Sequence, residues 1–110
     1  MRSTTAGLYI QDLTVGSGTE AINGRILNVL YTGWLTTGQV FDSNNTAPGI
    51  QFPLGRGAVI NGWDLGLVGM RPGGKRKLVI ASPLAYGSEG QGSIGKNQTL
   101  VFDVTLLSVA

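Results

Sequence analysis

The segment AVINGWDLGLVGM, residues 58–70, is the only part of this chain whose apolar spacing indicates an α-helix. Trp63 and Leu67 fall four positions apart, which places them on one helical face. Asn61 and Asp64 have the spacing of an N-cap and its capping-box partner. A helix of two turns with internal glycines is not stable alone in water, so its apolar face must pack onto other structure.

The rest of the chain has the alternation of β-strands, so the helix is expected to pack on a sheet. The last segment is the clearest, because Leu100, Phe102, Val104 and Leu106 share one face. The basic run at 75–77 is interpreted as an exposed strand face. We predict strands at residues 8–13, 26–32 with a continuation at 34–35, 40–42, 50–54, 75–81 and 99–109.

The composition excludes much enzyme chemistry. The chain has 110 residues, enough for one domain, and contains neither cysteine nor histidine. Thiol catalysis, disulfides and the usual zinc sites are therefore excluded, and we expect no metal and no cofactor. Residues 90–95 match the pattern G-x-G-x-x-G, but a strand and not a helix follows them, which argues against nucleotide binding.

Charge and hydropathy limit the partners and the location. The net charge is only +2, and one short basic run is too small for a nucleic-acid groove. No apolar run approaches the ~20 residues of a membrane span. We expect a cytoplasmic protein, or a periplasmic or secreted one if a signal peptide has been removed. Residues 1–6 are predicted to be a disordered tail, and residues 7–110 a single domain.

Aromatic residues are the remaining candidates for a site. Their simplest interpretation is a hydrophobic core, because buried aromatic side chains are usually structural. The aromatic residues that fall around the predicted sheet are Tyr31, Phe41, Trp63, Tyr86 and Phe102.

Five motifs in and around these residues resemble the FKBP-type peptidyl-prolyl cis-trans isomerases, the macrolide-binding immunophilins. They are VLYTGWL (29–35), GQVFDS (38–43), VINGWD (59–64), AYG (85–87) and TLVFDV (99–104), in the order of that family. The resemblance implies an α+β fold in which a bent antiparallel β-sheet of five to six strands wraps around one short α-helix. It also implies a pocket between helix and sheet.

The resemblance further implies roles for individual residues. Trp63 matches the pocket floor, and Asp42 matches the pocket aspartate of the family. The main-chain N–H of Ile60 and the hydroxyl of Tyr86 would contact ligand carbonyls. The residues implied as catalytic are Tyr31, Phe41, Asp42, Trp63, Tyr86 and Phe102. The residues implied to bind substrate or ligand are Ile50, which stands where an aromatic residue is usual, Val59, Ile60 and Ile94, the best match to the upper wall.

The activity implied is isomerisation of X-Pro bonds in polypeptides, as a monomeric folding catalyst that macrolides could inhibit. Rotating an amide bond makes and breaks no bond, so the absence of a nucleophile is no objection. The alternative is a module or chaperone that grips proline-containing segments or a partner with little turnover.

Overall fold

The computed structural model describes residues 2–5, 7–81 and 99–110. Within these ranges all strand pairs are antiparallel, so the predicted α+β class with one short helix is confirmed. The elements are β1 (Arg2–Thr5), β2 (Leu8–Thr14), β3 (Ile26–Leu35), β4 (Val40–Asn44), β5 (Ile50–Pro53), α1 (Asn61–Gly66), β6 (Lys75–Ile80) and β7 (Leu100–Val109).

One sheet contains all seven of these strands, in the order β1-β2-β6-β7-β3-β4, with β5 also paired to β3. The long strand β3 therefore has two partners along one edge. Its first part, from Ile26 to Val29, pairs with β5, and its later part, from Tyr31 to Trp34, pairs with β4. The chain leaves the sheet between these two pairings and returns, which brings β4 and β5 to the same edge.

The inner face of the sheet packs against α1. The alternate residues of β7 predicted to share a face are all buried, and Trp63 and Leu67 are buried beside them. Two helical glycines permit this packing. A Cβ at Gly62 would lie 2.6 Å from Ile80 Cδ1, and one at Gly66 would lie 2.9 Å from Leu78 Cδ2. The glycines that weaken the isolated helix are thus what let it approach β6 closely.

The N-terminal segment differs from the prediction of a disordered tail over residues 1–6. Arg2–Thr5 forms β1 and pairs with β2, with Ser3 opposite Tyr9. The chain reverses at Gly7, whose φ of 83° favours glycine. A polar segment without an apolar pattern forms a strand here because main-chain hydrogen bonds to the edge of β2 do not depend on side-chain type.

The start of the helix also differs from the prediction. The N-cap is Ile60, in an extended conformation, and no side chain caps it. The predicted capping box of Asn61 and Asp64 is wrong, because the Asp64 carboxylate accepts hydrogen bonds from the loop before the helix. Its two oxygens lie 2.8 Å from the Gly55 nitrogen and 3.0 Å from the Gly57 nitrogen.

The basic run on β6 is not simply an exposed face. Arg76 is only 5% exposed, and its Nε lies 2.6 Å from Asp12 Oδ1. Its Nη1 donates to the carbonyls of Gly66 and Val68, at 2.8 and 2.9 Å. The alternation of the strand turns this side chain inward, where it satisfies main-chain acceptors at the end of α1.

Candidate active site

The centre of the candidate site is the indole of Trp63, which α1 packs against aromatic rings of β3, β5 and β7. The side chain is 4% exposed, and three other rings pack around it. Ring centroids lie 5.0 Å away for Tyr31, 5.3 Å for Phe102 and 5.8 Å for Phe52, the first two nearly perpendicular to the indole. Edge-to-face packing of this kind is the favoured geometry for aromatic pairs.

A further ring, that of Phe41, extends the group along the sheet. It meets Phe102 at a centroid distance of 5.5 Å and an interplanar angle of 82°. Gly33 makes this contact possible, since a Cβ there would lie 2.8 Å from atoms of both phenylalanine rings. We call Tyr31, Phe41, Phe52, Trp63 and Phe102 the aromatic cluster.

A polar pair borders the aromatic cluster. The Tyr31 hydroxyl donates a hydrogen bond to Asp42 Oδ2 at 2.7 Å, across the paired strands β3 and β4. Asp42 is exposed, whereas Tyr31 is partly buried and packs against the core. The carboxylate therefore orients the tyrosine ring from the solvent side without itself entering the core.

Three aliphatic residues predicted to bind ligand lie around the same core. Ile50, Val59 and Ile60 are each partly buried and pack against it. The main-chain N–H of Ile60 has no hydrogen-bond acceptor within the described part of the chain, whereas its carbonyl accepts from the Trp63 and Asp64 nitrogens. Among the described residues, the Ile60 N–H is thus an unpaired donor three positions before Trp63.

The structure brings together most of the predicted site. The rings of Tyr31, Phe41 and Trp63 all pack on that of Phe102, and Asp42 accepts a hydrogen bond from Tyr31. Two predicted residues, Tyr86 and Ile94, lie outside the described residues, and their roles stay predictions.

Sequence reasoning missed Phe52 as a neighbour of Trp63. The signal was present, because Phe52 alternates with Ile50 and Leu54 on one face of a strand.

The chemistry that this arrangement can perform is that of an apolar surface with few polar atoms. The Trp63 Nε1 is buried and has no hydrogen-bond partner among the described residues. Those residues include no group of three acidic side chains close enough to hold a metal ion. They also include no helix of the length and apolar character that a membrane crossing requires.

An antiparallel sheet packed on one short helix, with the helix tryptophan among aromatic rings, defines a small α+β protein with an aromatic cluster between helix and sheet. Comparison with known proteins identifies the family. Residues 18–107 match the family model described as FKBP-type peptidyl-prolyl cis-trans isomerase. The chain belongs to this family.

The chain is also similar to individual proteins. The chain is 53% identical over 104 residues to FK506-binding protein 4 of Rhizopus delemar, covering 94% of this chain and 27% of that protein. It is 49% identical over 105 residues to FK506-binding protein of Neisseria meningitidis serogroup B, covering 94% of this chain and 96% of that protein. The crystal structure of FkpA from Escherichia coli superposes with a TM-score of 0.89 at 40% identity, covering 98% of this chain and 50% of that one. The chain therefore spans about a quarter of the fungal relatives and almost the whole of the Neisseria protein.

Proposed function

We propose that this chain catalyses cis-trans isomerisation of X-Pro bonds in polypeptides, with the aromatic cluster as the binding surface for the proline ring. The observation that carries the proposal is the buried Trp63 indole, with Tyr31 and Phe102 packed edge-on against it. Membership of the FKBP-type isomerase family supports the same reaction.

The physics of the reaction suits such a site. Rotation about the X-Pro bond crosses a barrier of roughly 18–20 kcal/mol, because the amide loses its partial double bond. The twisted amide has a less polar carbonyl than the planar one, so transfer from water to an apolar cavity favours the twisted form. A thousandfold acceleration requires only about 4 kcal/mol of differential stabilisation.

The geometry supports a specific role for each of several residues. Trp63 forms the floor, and Phe41 and Phe102 form a wall beside it. The N–H of Ile60, which has no acceptor in the described part of the chain, donates to a substrate carbonyl and so fixes the orientation of the bound segment. Asp42 acts on the reaction through the orientation of Tyr31, since no proton has to be transferred.

A proline assay tests the activity directly. A peptide is mixed with a protease that cleaves only its trans form, and the slow phase reports isomerisation. Wild-type protein should accelerate this phase in proportion to its concentration. Val15→Ala is a matched control, because Val15 is 79% exposed and belongs to no part of the proposed site. If the slow phase stays at the uncatalysed rate while the same peptide binds, the alternative of a proline-binding module or chaperone replaces the enzyme.

The names of the relatives favour a second ligand for the same surface. Proteins from Rhizopus and Neisseria are named as binding FK506, and we propose that this chain binds that macrolide against Trp63. Trp34 lies on another face, below Lys77, so Trp34→Phe leaves Trp63 as the only indole. FK506 should change the fluorescence of this variant and inhibit isomerisation over the same concentration range. Inhibition without a fluorescence change would place the macrolide elsewhere.

A further inference from the structure

Among the described residues, one side chain accepts all the hydrogen bonds made by residues 55–59 of the loop between β5 and α1. Residues 55–58 are exposed, and only two hydrogen bonds are made by residues 55–59 within the described part of the chain. Both run from main-chain N–H groups to the carboxylate of Asp64, from Gly55 at 2.8 Å and from Gly57 at 3.0 Å. Hydrogen bonds to an ionised carboxylate are stronger than those between neutral groups.

Gly55 and Gly57 have backbone conformations that allow both N–H groups to reach the Asp64 carboxylate. Gly55 and Gly57 have φ values of 79° and 74°, a region that other residues rarely adopt. A Cβ on Gly57 would meet nothing within 4 Å, so space does not explain the choice of glycine there. The positive φ explains the glycine, because this conformation directs the N–H groups of two alternate loop residues at the Asp64 carboxylate.

The loop ends at the wall of the proposed site. Val59, its last residue, and Ile60 both pack against the core, and the N–H of Ile60 has no acceptor among the residues that the structure describes. Asp64 itself is the residue after Trp63 on α1. The carboxylate therefore connects the wall of the site to the helix that carries its floor.

A role in helix capping does not account for Asp64. The helix has no side-chain cap, and both carboxylate oxygens are engaged by the loop. We infer that Asp64 is a positioning residue for substrate, which fixes residues 55–59 so that the Ile60 N–H meets the carbonyl of the bound X-Pro segment. This inference rests on the proposed isomerase function and deepens it.

The test compares Asp64→Ala, Asp64→Glu and the control Asn61→Ala. Asn61 is exposed at the start of the same helix and makes no capping bond, so its replacement perturbs the helix start but not the loop. For each folded variant, KM and kcat are measured on one proline peptide, and amide hydrogen exchange is measured at Gly55 and Gly57.

We expect Asp64→Ala to raise KM about tenfold and to leave kcat within about twofold, because a mislocated donor weakens substrate and transition state alike. Exchange at both glycine amides should accelerate. Asp64→Glu should restore much of the KM, since it again offers two carboxylate oxygens, and Asn61→Ala should match the wild type.

Two results would overturn the inference and leave the proposed function standing. One is an active Asp64→Ala protein with unchanged KM, and the other is unchanged exchange at the two glycine amides. A wild-type protein without turnover would instead refute the proposed function, and the positioning role with it.

Discussion

Replacing Asp42 by asparagine separates two mechanisms for the proposed isomerase. If Asp42 exchanged a proton with the substrate, Asp42→Asn would abolish turnover. If the site works by shape and desolvation, the substitution removes a charge from the partner of Tyr31 but leaves an oxygen that can still accept its hydrogen bond. We predict the second outcome.

The structure sets the magnitude. The hydrogen bond is short, at 2.7 Å, but Asp42 is exposed, so water competes for both partners. Weakening such a bond costs about 1 kcal/mol, which corresponds to about a fivefold loss in kcat/KM. Phe102→Ala is the contrasting variant, because Phe102 is 3% exposed and its ring packs on those of Phe41 and Trp63. Removing a buried phenylalanine costs about 3–5 kcal/mol of stability and opens the wall of the site.

The assay is the protease-coupled proline assay on both variants with one peptide, after correction for unfolded protein measured by circular dichroism. Asp42→Asn should keep at least about a fifth of the wild-type kcat/KM. Phe102→Ala should lose at least as much per folded molecule. An inactive but folded Asp42→Asn protein beside an active Phe102→Ala protein would refute the desolvation mechanism.

Three further substitutions test the packing by thermal denaturation. Trp63→Leu should cost about 3 kcal/mol and lower Tm by roughly 10 °C or more, and an unchanged Tm would contradict the packing of the helix on the sheet. Gly33→Ala should cost about 1–3 kcal/mol, because its Cβ would press on Phe41 and Phe102 at 2.8 Å, and an unchanged Tm would show that the two rings move aside. Arg76→Ala should cost about 1–3 kcal/mol, since the carbonyls of Gly66 and Val68 lose this donor, and an unchanged Tm would show that water replaces the guanidinium.

Local patterns predicted the helix and every strand of this fold except β1, but not every contact between them. The alternation of Leu100, Phe102, Val104 and Leu106 identified β7 and its buried face, because period-two burial is a property of the strand itself. The same alternation places Arg76 on the inner face with Leu78 and Ile80. The basic run at 75–77 suggested an exposed strand face instead, although Arg76 alternates in phase with Leu78 and Ile80.

Other features had no local signal. The two bonds of Asp64 span seven and nine residues to a loop whose path is set by tertiary packing, so the sequence pattern equally fitted a capping box. For the site, the resemblance supplied Tyr31, Phe41, Trp63 and Phe102, which the structure brings together. Periodicity alone places such residues on faces of elements, but it does not say which faces meet.

Because α1 lies so close to β6, substitutions at facing positions of the two elements depend on each other. With 2.6 Å between a Cβ at Gly62 and the side chain of Ile80, a larger residue at 62 is tolerated only after the strand residue has become smaller. The same dependence joins Gly66 to Leu78. The order in which such changes occur therefore matters: Ile80→Ala, which removes all three contacting carbons, followed by Gly62→Ala passes through a protein with a cavity, whereas the reverse order passes through a strained one.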